Sequence, residues 1–417
     1  MNNVLFISYF WPPSGKASLH WPLFIIKHLP KLAWMPSVLT VDEDSFSHVD
    51  NSLMSEIDTN IKVVKTAANE PFNMYRKFLG KKSDSPLVAS ETISLTNTDW
   101  KHKLSIWIRM NLFVPDARIG WYFSALSGGE MLIKSEKPKA IVSIGPPHSS
   151  HLIGKKLGKR YGIPHIPVLI DPWVDIVYYK DFKRSALTLA IDNYFEKSTF
   201  RSAQQIIFVT KSAQEDYIKK YSWIKEKSHV LYWGYNEENF SMQASSSPAE
   251  VVLHAGNIFD YQNPKGLWKN IRYEISQGRN LRIRFVGTVS PDIKKAISDS
   301  GLDDYTEYLG FLPYQDVLKE MMNAKYLLVC ATEKRHVPGK LFEYLRTGNK
   351  IIAFGDDNKE VDGILSQANA GILLPYQYDK NDIFERLKHL TPKPELAKQY
   401  SREAIAEQLV KILNSSI

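Results

Sequence analysis

VLFISYFWPPSGKASLHWPLFIIKHLPKLAWMPSVLTV, residues 4–41, decides the fold class. An apolar run, Val4-Leu5-Phe6-Ile7, leads into a loop with two prolines and one glycine. An apolar, helix-like stretch follows, and then a second apolar run ending at Val41. Strand, loop, helix and strand in this order form a βαβ unit, whose strands lie parallel because the chain crosses over between them. The alternation continues, with Val4–Ser8, Ser37–Val41, Ala140–Ile144, His165–Ile170, Gln205–Val209 and His229–Tyr232 reading as strands. The polar, serine-rich stretch SMQASSSPAE, residues 241–250, reads as a linker. A second series follows: Val251–Ala255, Leu281–Val286, Glu307–Gly310, Tyr326–Ala331, Lys350–Phe354 and Gly371–Leu374. Two α/β halves imply a cleft, with ligand at the carboxyl ends of the strands.

Totals agree with this division. A chain of 417 residues exceeds one ordinary core, and 44% apolar with 24% charged residues is the balance of a soluble globular protein. The single cysteine, Cys330, excludes an intrachain disulfide and sits in an apolar run as a core residue. No apolar stretch is long enough for a membrane span, and MNNVLFISYF lacks the features of a signal peptide. The expected location is cytoplasmic.

The formal charge of +8 is uneven. Residues 1–190 carry 23 Lys/Arg against 16 Asp/Glu, whereas residues 191–417 carry 30 against 29. Within the basic half, residues 70–113 include Arg76-Lys77, Lys81-Lys82 and WKHKLSIWIRMNLF, residues 100–113. Basic residues interleaved with Trp and Leu suit an interfacial helix beside anionic lipid, on the inner face of the cell membrane. A core-packing helix with a solvated basic face is the other reading. The basic residues join no nucleic-acid-binding module, so nucleic acid is not an expected partner.

Four loops carry candidate chemistry. WPPSGKAS, residues 11–18, follows a strand and opens a helix, where backbone N–H groups favour anions. Gly15 permits close backbone approach, yet the loop matches neither a dinucleotide nor a Walker pattern and also reads as a proline-stiffened turn. In CATEKRHVPGKLFEYLRTGNKIIAFG, residues 330–355, Pro338 suits the first helical turn, and Lys340 and Glu343 share a helix face. A cation and a carboxylate on one face match a nucleotide, with Lys for phosphate and Glu for ribose hydroxyls; a plain surface ion pair is the alternative. HAGNIFDYQNPKG, residues 254–266, offers Gly256 at a strand end and Lys265 for a phosphate. SIGPPHSSH, residues 143–151, offers His148 as a hydrogen-bonding or proton-transferring group, or as a helix-capping histidine. Asp42-Glu43-Asp44 formally reads D-x-D but opens a hydrophilic loop. With neither zinc spacing nor HExxH in the chain, no metal is expected.

Together these stretches resemble the GT-B nucleotide-sugar glycosyltransferases, of the family 4-like retaining group and its bacterial branch. The resemblance rests on residues 9–41, PDARIGW at 115–121, SIGPPHSSHLIGKKLGKRYGIP at 143–164, Asp-Pro-Trp at 171–173 and VPGKLFEYLRTG at 337–348. It implies two Rossmann-like parallel-sheet domains facing a central cleft: residues 1–240 on the acceptor side and 251–395 for the donor nucleotide. A C-terminal helix, 396–417, packs back on the first domain. It implies a donor site of Gly256, Asn257, Lys265, Pro338, Gly339, Lys340, Leu341 and Glu343. It puts Gly15, Lys16, His148 and Lys265 at the reaction centre, and His148, Asp171 and Trp173 on the acceptor side. The substrates would be a UDP- or GDP-linked sugar and a glycan or lipid-linked acceptor of bacterial surface polysaccharide or glycolipid synthesis, with no cofactor. Transfer would proceed with retention and without metal.

The sequence departs from the family pattern at four places. Lys16 replaces the second loop glycine, and Arg335 stands where the first acid of a Glu-x7-Glu pair is expected. Asn257 replaces an arginine, and Trp233 occupies an Asn-Gly position. These changes leave a non-catalytic GT-B subunit as the alternative, with a nucleotide-sugar epimerase behind it.

Overall fold

The computed structural model describes residues 1–46, 49–68, 100–175, 182–240 and 249–417. Residues 70–99 of the basic stretch, and most of the 241–250 linker, lie outside the described residues. The chain forms two compact units. One comprises Met1–Val209, Ala213–Leu231 and Ala406–Ile417; the other comprises Thr210–Ser212 and Tyr232–Ile405.

The sheet of the first unit contains β1 Asn2–Ile7, β2 Trp34–Val41, β3 Lys62–Thr66, β4 Ala140–Gly145, β5 His165–Leu169, β6 Ile206–Phe208 and β7 Ser228–Val230. Their order is β3-β2-β1-β4-β5-β6-β7, with every neighbouring pair parallel. Val4, Leu5, Phe6 and Ile7 are all 0% exposed, as a central strand covered on both faces requires. Strand β3, KVVKT, has two exposed lysines, Lys62 and Lys65, and escaped the sequence reading because it is a half-solvated edge.

Helices cover this sheet: α1 His20–Ile26, α2 Trp100–Leu112, α3 Tyr122–Glu136, α4 Ser149–Tyr161, α5 Ala186–Ser202 and α6 Lys211–Lys220. The PDARIGW stretch explains how α4 begins. Asp116 accepts hydrogen bonds from the Ser149 backbone N–H at 2.9 Å and from its hydroxyl at 2.7 Å. Its carboxylate thus occupies the positive end of α4. Arg118 lies 5.2 Å from the centroid of the Tyr9 ring, just beyond β1. Asn111, near the end of α2, accepts from the Ser185 N–H at 2.6 Å, where Ser185 caps α5.

In the second unit the strands are β8 Ala249–Ala255, β9 Arg282–Val286, β10 Thr306–Tyr308, β11 Ala324–Cys330, β12 Lys350–Phe354 and β13 Gly371–Leu374. They are parallel, in the order β10-β9-β8-β11-β12-β13. Helices α7 Lys265–Ser276, α8 Pro291–Asp299, α9 Tyr314–Asn323, α10 Lys340–Thr347, α11 Lys359–Gln367 and α12 Ile383–Lys388 cover it. The last helix, α13 Arg402–Asn414, starts in this unit, and its residues from Ala406 group with the first.

Helix α10 buries Leu341, Phe342, Tyr344 and Leu345 against a core that includes Leu253, Val329 and Ile351. The hydroxyl of Tyr344, 0% exposed, accepts the backbone N–H of Ala255 at 2.9 Å, which ties the helix to the end of β8. Replacing Tyr344 with Phe leaves that N–H unpaired inside the protein. The expected cost is about 1–3 kcal/mol of stability, measurable by urea denaturation, with little change in volume. An unchanged midpoint would mean that the bond is not made.

Candidate functional site

Parallel sheets expose their useful atoms at the carboxyl edge, where loops leave the strands. In the second unit β8 and β9 each end in a glycine with positive φ, Gly256 at 101° and Gly287 at 103°. A Cβ on Gly287 would lie 2.8 Å from the carbonyl carbon and oxygen of Gly256, so the two backbones pack directly together. Gly256 itself is exposed.

The Lys340 ammonium sits over this strand end. A Cβ on Gly256 would come 3.0 Å from Lys340 Nζ. Lys340 Nζ is also 3.2 Å from Nε2 of His254, which is 2% exposed on β8. Part of the Lys340 side chain reaches the surface, but enclosure of its ammonium pushes the pKa down to about 8, against the opposing pull of Cys330 and Glu343. One turn along α10, Glu343 Oε1 accepts from the Tyr314 hydroxyl at 2.6 Å. Burial raises the Glu343 pKa, while Tyr314, Arg402 and Lys340 hold it down.

Other expected donor residues distribute around this point. Pro338 and Leu341 are buried, and the Leu341 N–H donates to Pro338 O at 2.9 Å, which shapes the first turn of α10. Gly339 is exposed, and a Cβ on it would lie 4.0 Å from Trp233. Trp233 packs on the core beneath α10. Lys265 stands exposed at the first position of α7. Asn257 is committed locally, since its Oδ1 accepts the Thr288 N–H at 3.1 Å. Arg335 pairs with Glu333, Nε to Oε1, at 3.4 Å. Cys330 is buried with its thiol pushed up to about 12, as suits a core residue. Sequence reasoning missed His254, Gly287 and Tyr314. The F-V-G ending of β9, which parallels the H-A-G ending of β8, was the available signal for Gly287.

In the first unit the loop after β1 carries Gly15 and Lys16, both partly exposed. His148 and Trp173, expected at the acceptor surface, are 4% and 1% exposed. Their rings stack, with centroids 5.0 Å apart at an interplanar angle of 6°. Both side chains are packed beneath the surface of this unit. Asp171 is partly exposed two residues before Trp173.

The loop is clamped from α5 and α6. Trp173 Nε1 donates to Asp192 at 2.8 Å, and its backbone N–H donates to the Tyr217 hydroxyl at 2.7 Å. Asp192 pairs with Arg184 at 2.5 Å. Glu196, 0% exposed, accepts from the Tyr217 and Tyr221 hydroxyls, both at 2.9 Å, and pairs with Lys220 at 2.8 Å. These acids were not singled out in the sequence, where Asp192 and Glu196 are simply two acids one turn apart on a helix.

Beside the loop lie three buried histidines. Ser143 Oγ is 2.8 Å from His151 Nδ1 and 2.7 Å from His165 Nε2. Burial holds His148 and His165 down to about 3, and His151 well below its ordinary value. His148 is therefore neutral at physiological pH.

Fold and site define a class: two parallel Rossmann-like sheets, with an ammonium and a carboxylate on one helix face at the carboxyl edge of the second. That architecture is the GT-B fold. Residues 236–407 match the family model described as Glycosyl transferases group 1. Among solved structures the chain is similar to sucrose-phosphate synthase from Thermosynechococcus elongatus, with a TM-score of 0.60, 14% identity, and coverage of 100% of this chain and 99% of that one. It is also similar to HepE of Anabaena in complex with UDP and glucose, with a TM-score of 0.59, 14% identity and 100% of both chains covered. A third similar structure is the lipopolysaccharide outer core galactosyltransferase WaaB in its apo form, with a TM-score of 0.59, 12% identity and 100% of both chains covered. No curated protein matches the chain by sequence.

The neutral histidines set an acid limit on stability. Unfolding returns each to a pKa near 6.5, so below that value the unfolded chain binds protons that the folded chain refuses. Stability is expected to fall as pH drops from about 6.5 towards 3, by up to about 1.4 kcal/mol per pH unit for each histidine. Denaturant titrations between pH 7 and pH 5 check this. His148→Phe, which keeps a ring against Trp173, should flatten the slope. An equal slope in the variant would show that His148 is not held neutral.

Proposed function

We propose that the protein transfers a sugar from a nucleotide-sugar donor to a glycan or lipid-linked acceptor, with retention and without metal, in the synthesis of a bacterial surface polysaccharide or glycolipid. The observation that carries this reading is the pairing of Lys340 and Glu343 on one face of α10, beside the exposed Gly256 at the end of β8. The ammonium suits a diphosphate, and the carboxylate suits two ribose hydroxyls. Gly256 lets a phosphate approach backbone that a side chain would cover. The complex of HepE with UDP supports a UDP-linked donor, and the role named for WaaB supports a surface glycan.

The acceptor hydroxyl attacks the anomeric carbon as the bond to the diphosphate oxygen breaks. The hydroxyl proton passes to the departing diphosphate, so the products are the glycoside and the nucleoside diphosphate. On this reading the protein's work is to position both substrates and stabilise growing negative charge on the leaving group, with Lys340 and Lys265 as the cations. The neutral, buried His148 supports the loop carrying Asp171 and takes no proton.

Glu343→Ala is expected to weaken UDP binding by roughly 1.5–3 kcal/mol, the range for a hydrogen bond to a charged group. Isothermal calorimetry with UDP measures it. Wild-type affinity in the variant would remove Glu343 from the ribose. A wild-type protein that binds none of a panel of nucleotide sugars would instead favour the non-catalytic reading.

A lipid-linked acceptor implies contact with a membrane surface. No helix among the described residues is long and apolar enough to cross one. Helices α2 and α5, tied through Asn111, expose Trp107 and Leu112 on one and Leu187, Ile191 and Tyr194 on the other. Leu187, Ile191 and Tyr194 follow helical spacing along a single stripe. This stripe, together with α2 from the described end of the basic 70–113 segment, supports peripheral docking. Flotation with vesicles containing anionic lipid is expected to carry the protein. Leu187→Ser with Tyr194→Ser should lower the bound fraction severalfold, since each buried apolar side chain contributes about 1.5–3 kcal/mol. Undiminished flotation of the double variant would move the contact elsewhere.

A further inference from the structure

Beneath Lys340 lies a group that the sequence did not point to. His254 is on β8, buried, with its ring 6.2 Å from that of Phe285 on β9. Its Nδ1 is 3.0 Å from the Leu328 carbonyl oxygen on the adjacent strand β11. A carbonyl only accepts, so Nδ1 carries the proton and donates it there. In the neutral ring Nε2 then has a lone pair, and it faces Lys340 Nζ at 3.2 Å, with the Asn257 carbonyl oxygen farther off at 3.4 Å. The shorter carbonyl contact at Nδ1 and the ammonium at Nε2, which can only donate, set the tautomer together, and the lone pair is directed towards the ammonium. Gly256 supplies the space, because a Cβ there would crowd Nζ at 3.0 Å.

We propose that His254 is a positioning residue for the donor diphosphate: its neutral Nε2 accepts a hydrogen bond from the Lys340 ammonium and seats that charge over Gly256. The proposal rests on the reading of this edge as the nucleotide-sugar site. A lysine carries three donors on a flexible stem. Spending one on a fixed imidazole orders the stem and leaves two for phosphate oxygens. A carboxylate in the same place would also order the lysine but would cancel its charge.

The surroundings give a pH signature. The titratable groups facing Lys340 are His254 from β8, Cys330 from β11, His336 from the loop before α10, and Glu343 on α10 itself. Burial keeps His254 and His336 neutral and the Cys330 thiol protonated. With Lys340 at about 8, its own charge is the one lost as pH rises through that value. UDP affinity is expected to be level below pH 8 and to weaken up to tenfold per pH unit above it.

The test compares wild type, His254→Phe, His254→Gln and Lys340→Met. Phe keeps a ring against Phe285 and lacks the acceptor, whereas Gln restores a carbonyl oxygen near the Nε2 position. Competitive acetylation of the ligand-free proteins, read peptide by peptide across pH, gives the Lys340 titration without any donor. UDP binding across the same pH range gives the affinity. His254→Phe is expected to lower the Lys340 pKa and weaken UDP binding about tenfold at pH 7. His254→Gln should recover most of both, and His254→Phe should add nothing in a Lys340→Met background. An unchanged Lys340 titration in His254→Phe overturns the seat directly. A shifted titration in a protein whose wild type binds no UDP or other nucleotide overturns the nucleotide reading, and the proposed purpose of the seat with it. Equal losses in His254→Gln and His254→Phe, additive with Lys340→Met, would reduce His254 to a packing residue.

Discussion

Both sheets are parallel throughout their described strands, and this constraint governs the rest of the structure. A parallel neighbour is reached by a crossover, so helices cover both faces and the central strands become apolar on both sides. Polar chemistry is displaced to the strand ends. In the second unit that edge is built by strands ending in Gly256 and Gly287, whose backbones pack too closely for side chains. Backbone, not side chain, therefore floors this edge, and Lys340 and Glu343 are presented to it from α10. The Tyr344 hydroxyl bond to the Ala255 N–H fixes the height at which Lys340 and Glu343 are presented.

The sequence disclosed the fold through exactly those features that burial imposes. Continuous runs such as Val4–Ile7, Ile351–Phe354 and Tyr326–Cys330 are the mark of strands covered on both faces, and they were readable. Edge strand β3 was not, because KVVKT keeps lysines in the water and lacks the continuous run. Strand ends shifted by a residue or two: His229–Tyr232 is seen as Ser228–Val230, and Glu307–Gly310 as Thr306–Tyr308. Lys340 and Glu343 were legible as a pair, and Gly256 separately as a strand end, because helical spacing and a strand-end glycine are local signals. His254 was illegible because its role depends on Leu328, 74 residues away, and on Lys340, 86 residues away.

The same limit explains the first unit. His148 follows a strand and opens a helix, which is where a reactive histidine would be placed. Yet Trp173 stacks on it, and Trp173 is itself held by Asp192 and Tyr217 from separate helices. Nothing in residues 143–151 announces those partners. PDARIGW likewise carries a resemblance whose physical content lies elsewhere, since Asp116 fills the helix N-terminus that a bare reading would leave open for an anion.

The departures from the family pattern can be weighed as electrostatics. Arg335 brings a positive charge to the loop before α10, but Glu333 pairs with it and offsets that charge. Asn257 replaces a cation and uses its side chain to hold the Thr288 backbone. If a diphosphate leaves from this edge, the charge that stabilises it comes from groups not already paired with acids. Lys340 meets that condition at close range because its partner is an imidazole, which orders the ammonium without neutralising it. A carboxylate at position 254 would bind the lysine more strongly and serve the reaction less, since the ion pair would have to be broken before phosphate could be held. The neutral histidine resolves that conflict: it is strong enough to place the charge and weak enough to leave it available.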